Sequence, residues 1–142
     1  MPIIHTSLTT NLSPAEVLRI LTDFGPTRAE AFPGVDESNL TVHELGDTWA
    51  NVTEGNNLGW ERERYDWDAE AGTISAVTTD SNLWGPGSRW DYRLAPRDGG
   101  TLVSIRLERH AKNVRGHLVG ALLPLFGRRF ITAGFARALQ AT

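Results

Sequence analysis

The chain contains no cysteine. That excludes disulfides, thiolate nucleophiles, thiol redox chemistry and cysteine-based zinc sites. Catalytic motifs are also missing. There is no HExxH, no phosphate loop, no nucleophile elbow and no dinucleotide fingerprint. The histidines, His5, His43, His110 and His117, are scattered without ligand spacing, so neither a metal nor a cofactor is expected. A basic excess is missing too: the net charge is −3. Arg62, Arg64, Arg89 and Arg93 alternate with acids such as Glu61, Glu63 and Asp91, which reads as mixed charge on exposed strand faces. No nucleic-acid partner is expected. The most apolar stretch, Leu118 to Phe126, is far shorter than the roughly 20 residues that cross a bilayer, so no integral membrane segment is expected. The first residues, Met1 to Thr6, carry no secretory pattern, and the expected location is the cytoplasm.

What is present is enough for one core. The 142 residues fit a single domain, expected to span residues 1–142. Alternation of β-branched residues from Ile3 to Thr10 predicts a strand. Ser13-Pro14-Ala15-Glu16 is a capping box with proline at the first helical position, and the helix should stop near Gly25-Pro26. A second short helix or turn is expected between Thr27 and Phe32. From Asn39 to Arg109 three hairpins follow in series. Their strands are Leu40–Glu44 with Thr48–Glu54, Gly59–Trp67 with Thr73–Thr79, and Ser88–Ala95 with Thr101–Arg109. The segment from about Val114 to Gln140 is helical in pattern, with Leu118, Leu122, Leu125, Phe126, Phe130, Ile131, Phe135 and Leu139 at three- and four-residue spacing. Pro124 should kink or break it, leaving a short lead-in and a longer helix from about Leu123.

This order of elements, with Ser13–Leu18, Leu21-Thr22-Asp23, Phe32–Val35, Gly87–Tyr92 and Gly99-Gly100-Thr101, resembles the helix-grip (SRPBCC, START-like) superfamily. That superfamily includes polyketide cyclases and lipid-transport proteins. The resemblance implies an α+β fold. A curved antiparallel sheet of about seven strands would grip a long C-terminal helix, with one or two short helices after the first strand. It also implies a cavity between sheet and helix. Such proteins often carry an aromatic residue where this chain has Leu18, a change that enlarges the cavity or is absorbed by neighbouring packing. The rival cone-shaped fold of ketosteroid-isomerase-like proteins opens with helices and finishes with strands, the reverse of this chain.

Alternation names the inward candidates. Trp90, Tyr92 and Leu94 share one face, and Val103, Ile105 and Leu107 another, with Arg109 in register at the strand end. A buried guanidinium there needs a carboxylate, carbonyls or water. On the Gly59–Trp67 strand either face is open; Tyr65 and Trp67, on the face shared with Glu61 and Glu63, are preferred inward. Trp84, in a loop, is the candidate for a mouth or lid. The candidate ligand-binding set is therefore Tyr65, Trp67, Trp84, Trp90, Tyr92, Ile105, Arg109, Leu122, Phe126 and Phe130. Each also has a plain reading as core or strand cover.

The expected function is binding or transport of a small hydrophobic molecule, lipid-like or polycyclic. An alternative is a cyclase or aromatase folding a polyketide-like chain in the same cavity. Candidate acid–base groups for it are His110, His117, Arg109, Tyr65 and Asp80. A third reading is a protein-interaction module with a packed interior. Two or more ionisable groups converging inside the cavity would favour the enzyme; an almost wholly apolar cavity would favour the carrier.

Overall fold

The computed structural model describes residues 2–32 and 34–140. Strand β1 (Ile3–Thr10) leads into helix α1 (Pro14–Leu21) and a four-residue helix α2 (Arg28–Ala31). A single 3-10 turn, Glu37–Asn39, precedes six strands: β2 (Thr41–Leu45), β3 (Trp49–Gly55), β4 (Trp60–Asp68), β5 (Thr73–Ser81), β6 (Arg89–Arg97) and β7 (Gly100–Glu108). The chain finishes in α3 (Val114–Leu122), a π-helical turn (Leu123–Gly127) and α4 (Arg128–Gln140).

All seven strands form one antiparallel sheet in the order β1-β7-β6-β5-β4-β3-β2. Consecutive strands pair as hairpins, and β1 returns to close against β7 from Ile3↔Glu108 to Thr10↔Thr101. The hairpin β6–β7 turns on Asp98 and Gly99 alone, both at positive φ, as a two-residue Asp-Gly turn requires. The strands are longer here than Pro96 suggested. Pro96 is tolerated because β5 pairs with β6 only as far as Arg93, so the missing N–H would have bonded nothing.

Local chemistry sets the helix starts. The Ser13 hydroxyl accepts from the Glu16 amide and donates to the Glu16 carboxylate, both at 3.2 Å. Asn113 caps α3, its Oδ1 accepting from the Gly116 amide at 2.9 Å. Pro124 does not break the terminal helix. Its missing donor and bulky ring are taken up by the wider π-helical turn, so the helical run is continuous from Val114.

The core lies between one sheet face and the inner side of α1 and α4. It contains Ile4, Val17, Leu21, Val52, Ile74, Leu94, Val103, Ile105, Ile131, Phe135 and Leu139. Helix α4 is tied along β1. The Thr6 and Thr132 hydroxyls share a hydrogen bond, and the Thr10 hydroxyl donates to the Leu139 carbonyl at 3.2 Å.

The run from Val114 to Phe130 contradicts its sequence pattern. It turns its small residues inward: Gly116 and Gly120 meet the Leu83–Trp84 segment, and Gly127 meets Ile4. The large apolar residues Val114, Leu118, Leu122, Leu125, Phe126 and Phe130 face outward. Close backbone approach decides this. A Cβ on Gly116 would lie 2.2 Å from the Leu83 carbonyl oxygen, so only glycine lets this side pack.

This packing generates a paired prediction. Alanine is a better helix former than glycine by about 1 kcal/mol. Gly134→Ala, with nothing within 4 Å of the added methyl, should stabilise the protein by about 0.5–1 kcal/mol in urea unfolding. Gly116→Ala should destabilise it by about 1–3 kcal/mol, because backbone must move to admit the methyl.

Candidate functional site

Between the concave sheet face and α4 lies a cavity of about 430 Å³. Its walls come from α1 and α2 (Leu21, Arg28), from β3 and β4 (Glu54, Glu61, Glu63, Tyr65), from β6 (Trp90, Tyr92) and from α4 (Phe130, Ile131, Phe135). Trp84 and Arg109 line it as well, next to Trp90 and Glu61.

Strand register explains the unusual chemistry of this wall. Glu54 and Glu61 are direct partners across β3 and β4, and Glu63 follows two residues later on the same face. A bulge in β5 places Ser81 opposite Glu61 and Thr78 opposite Glu63. All three carboxyl groups are therefore turned inward, and all three residues are buried, Glu63 to 2% exposure. Two guanidiniums flank them: Arg28 at 6% exposure on one side, Arg109 at 7% on the other.

The Arg28 end is saturated. Its Nε donates to Glu54 Oε1 at 2.7 Å and its Nη2 to Glu54 Oε2 at 3.4 Å. Nη2 also donates to the Tyr65 hydroxyl at 3.0 Å, and Nη1 to the carbonyls of Leu21 and Asp23 at 3.1 and 3.2 Å. The Tyr65 hydroxyl in turn donates to Glu54 Oε2. The guanidinium is also packed over the Phe24 and Phe32 rings, 4.7 and 5.0 Å from their centroids. Every donor of this arginine has a partner, so the unit fixes the short helix α2 to the sheet.

The other end is not saturated. Arg109 Nη1 stands 2.8 Å from Glu61 Oε2, yet without an aligned N–H···O hydrogen bond. Its guanidinium is held between Trp84 and Trp90, 5.1 and 5.4 Å from their ring centroids. The Trp90 indole N–H donates to Glu61 Oε1 at 3.3 Å, and Trp90 and Tyr92 stack in parallel at 6.1 Å. Glu63 Oε1 and Thr78 Oγ1 are buried without any hydrogen-bond partner among the described residues.

Burial opposes ionisation of Glu54 and Glu63, but neighbours decide each outcome. For Glu54, burial pushes the carboxyl up, but the Arg28 charge and the hydrogen bonds from Arg28 and Tyr65 overcome it and hold the carboxyl down to about 2. For Glu63, burial is reinforced by the charges of Glu61 and Glu54, and the carboxyl is pushed well above the usual carboxylate range. Burial and Glu54 likewise raise the Tyr65 phenol, and burial and Glu63 the Tyr92 phenol. Glu63 thus holds its proton where surface glutamates have lost theirs.

The structure brings together Tyr65, Trp84, Trp90, Tyr92, Arg109 and Phe130 of the residues the sequence singled out. Four lie elsewhere. Ile105 is buried in the core and borders, with Trp67 and Tyr92, a second hollow on the β1–β7 side instead of this cavity. Trp67 sits on the inward strand face but beyond the cavity, against Phe24 at 6.5 Å. Leu122 and Phe126 are exposed on the outer side of the terminal helix, because the glycines claim its inner side. Trp84 is a wall, not a lid: it is 7% exposed, and its amide donates to the Ser81 hydroxyl at 3.1 Å. His110 bonds Glu108 on the surface and Asp80 is an exposed partner of Lys112, both outside the cavity. His117 also lies outside. The sequence reading missed Arg28, Glu54, Glu61 and Glu63 as site residues. The available signal was parity: Glu61 and Glu63 share the face of Tyr65, and Glu54 that of Ala50 and Val52.

Two substitutions check this assignment through stability. An acid whose pKa the fold raises contributes fully below its unfolded value of about 4.3 and loses that contribution as pH rises toward the folded value. Glu63→Gln removes the loss. Urea unfolding should find the variant close to the parent near pH 4 and more stable by about 1 kcal/mol or more at pH 8. An acid whose pKa the fold lowers behaves oppositely. Glu54→Gln should cost about 3–5 kcal/mol at pH 7, because Arg28 is left buried without its countercharge. That penalty should shrink as pH falls from about 4.3 toward about 2.

Comparisons with known proteins agree with this architecture. The crystal structure of the ZhuI aromatase/cyclase from Streptomyces sp. R1128 superposes with a TM-score of 0.80 at 14% identity, covering 97% of this chain and 91% of that one. A START superfamily protein from Mycobacterium smegmatis gives 0.71 at 13% identity, covering 99% of both chains. Truncated norcoclaurine synthase from Thalictrum flavum gives 0.68 at 18% identity, covering 97% and 90%. At these identities the likeness is one of fold. No curated protein matches the chain. Residues 1–142 match the polyketide cyclase/dehydrase and lipid transport family, and the chain belongs to that family.

Proposed function

We propose that the cavity binds a small, flat, largely apolar molecule bearing a carbonyl or hydroxyl group, and that Glu63 donates a proton to that group. The observation that carries this reading is a pair of unsatisfied polar atoms on one cavity wall. Glu63 Oε1 belongs to a carboxyl that keeps its proton, and Arg109 Nη1 lacks an aligned acceptor. Leaving such groups buried without partners costs about 1–3 kcal/mol each, a cost that a bound polar group relieves. Trp84, Trp90, Tyr92 and Phe135 supply the apolar walls that hold a planar ring system.

The chemistry follows from the charge count. Arg109 orients and polarises an oxygen of the ligand. Protonation of a carbonyl by Glu63 makes its carbon electrophilic, and protonation of a hydroxyl makes water the leaving group. Glu63, once ionised between Glu54 and Glu61, is a stronger base than an ordinary glutamate. It recovers a proton from the attacking carbon when a new carbon–carbon bond closes the ring, and from the carbon next to the departing hydroxyl when water is lost. That sequence serves ring closure followed by loss of water. The cavity walls hold the reacting carbons in contact, which supplies much of the rate.

A carrier would use the same walls and the same polar anchors without turnover. The convergence of Arg28, Glu54, Glu61, Glu63 and Arg109 on one cavity favours acid–base chemistry over passive carriage. The test uses linear poly-β-ketone thioester analogues and flat aromatic ketones as probes. Quenching of Trp84 and Trp90 fluorescence reads binding; mass spectrometry reads a product lighter by one water. Glu63→Gln should bind within about threefold of wild type and turn over about 10²–10⁴-fold more slowly. Binding without any product in the wild type would make the protein a carrier. No binding across the panel would overturn the reading altogether.

A further inference from the structure

The outer side of the terminal helix is the most apolar exposed surface in the described residues. Val114, Leu118, Leu122, Leu125, Phe126 and Phe130 are all solvent-facing, Phe126 at 66% and Phe130 at 72% exposure. They recur at intervals of three and four residues, so they form one stripe along α3, the π-helical turn and the start of α4. Isolated exposed apolar residues need no explanation, but a continuous stripe of six does.

Charge identifies what covers the stripe. All seventeen Asp and Glu residues precede Arg109. From Arg109 onward the chain carries Lys112, Arg115, Arg128, Arg129 and Arg137 and no acid at all. Lys112, Arg115, Arg128 and Arg129 are exposed and flank the stripe. The protein as a whole is acidic, so this is a local basic surface on a negatively charged body. Apolar residues bordered by arginines and opposed by an acidic body fit an anionic lipid surface. A second copy of the chain fits poorly, since pairing two such helices sets arginines against arginines.

On a bilayer this helix would lie along the surface and not cross it. Its length and hydropathy alone would permit crossing: Val114–Leu139 is 26 residues and contains an 18-residue stretch of mean hydropathy 1.3. However, Ile131, Phe135, Ala138 and Leu139 are committed to the core.

We propose that this stripe docks the protein on anionic bilayers. Phe130 also lines the cavity, with Ala133, Gly134 and Arg137 of the same helix. Docking therefore brings the cavity rim to the lipid surface, where an apolar ligand is most concentrated. The inference rests on the outer helix surface and stands whether or not Glu63 performs chemistry.

The experiment is co-sedimentation of the full chain with vesicles of phosphatidylcholine alone or with about 30% phosphatidylglycerol. The anionic lipid should raise partitioning about tenfold or more, and 0.5 M salt, as a rough screening level, should reverse most of that gain. Phe126→Glu, at an exposed position, should reduce binding to anionic vesicles about tenfold. The double variant Arg128→Glu, Arg129→Glu should abolish the preference for anionic lipid. Near-ultraviolet circular dichroism shows whether each variant stays folded. The proposal is overturned if wild type ignores both vesicle types, if it binds both equally, or if folded Phe126→Glu binds as wild type. Sedimentation equilibrium showing a dimer that Phe126→Glu dissolves, with no vesicle binding, would also overturn it and assign the stripe to a second copy.

Discussion

Three carboxyl groups and two guanidiniums share one buried wall, and their count does not balance. Glu54, Glu61 and Glu63 face inward together because β3 and β4 pair in a register that aligns them. Arg28 neutralises Glu54 and Arg109 stands beside Glu61. Among the described residues no other buried cation is left to neutralise Glu63. Retaining a proton is the least costly solution, because an unpaired buried carboxylate costs far more than a displaced titration. The functional reading of the cavity depends on this imbalance.

The rest of the fold serves that wall. The saturated Arg28–Glu54–Tyr65 unit crosses from α2 to the sheet and locks the far end of the cavity. The Arg109 end is braced by aromatic rings instead of hydrogen bonds, which leaves donor capacity for a ligand. Helix α4 roofs the hollow without filling it, because Gly134 and Ala133 present little volume beside Phe135 and Ile131. The glycines of α3 and of the π-helical turn bring the preceding helix close to the sheet. Their close packing forces the bulky residues of that helix outward, so the exposed stripe and the tight inner contact have one cause.

Much of the architecture was legible in the sequence. Alternation located the strands within two residues, and the Ser13 and Pro14 signals placed α1. Arg109 could be read as needing a carboxylate, carbonyls or water, and Glu61 stands beside it at 2.8 Å. The site was only partly legible. The strand holding Glu61 and Glu63 was read for its aromatic residues, since acids interleaved with arginines usually mark a solvated face. Burial of those glutamates depends on Arg28 and Arg109, which are remote in sequence, and on a register that local patterns do not specify. The terminal helix misled for a related reason. Its apolar spacing suits a core-facing stripe, but Gly116, Gly120 and Gly127 compete for the same contact and win by admitting backbone more closely. The wide turn at Pro124 was likewise invisible, because proline announces a disruption without saying how the chain absorbs it.

The protonation of Glu63 carries the account, and it can be measured directly. Carbon-13 NMR of the glutamate side-chain carboxyls, titrated from pH 3 to 9 as a rough range, with Glu63→Gln used to assign the resonance, reports when this group ionises. The account predicts a midpoint well above the ordinary glutamate value of about 4.3, with Glu54 titrating far below it. A Glu63 midpoint at about 4.3 or lower would show the carboxyl ionised at neutral pH and would contradict its role as proton donor.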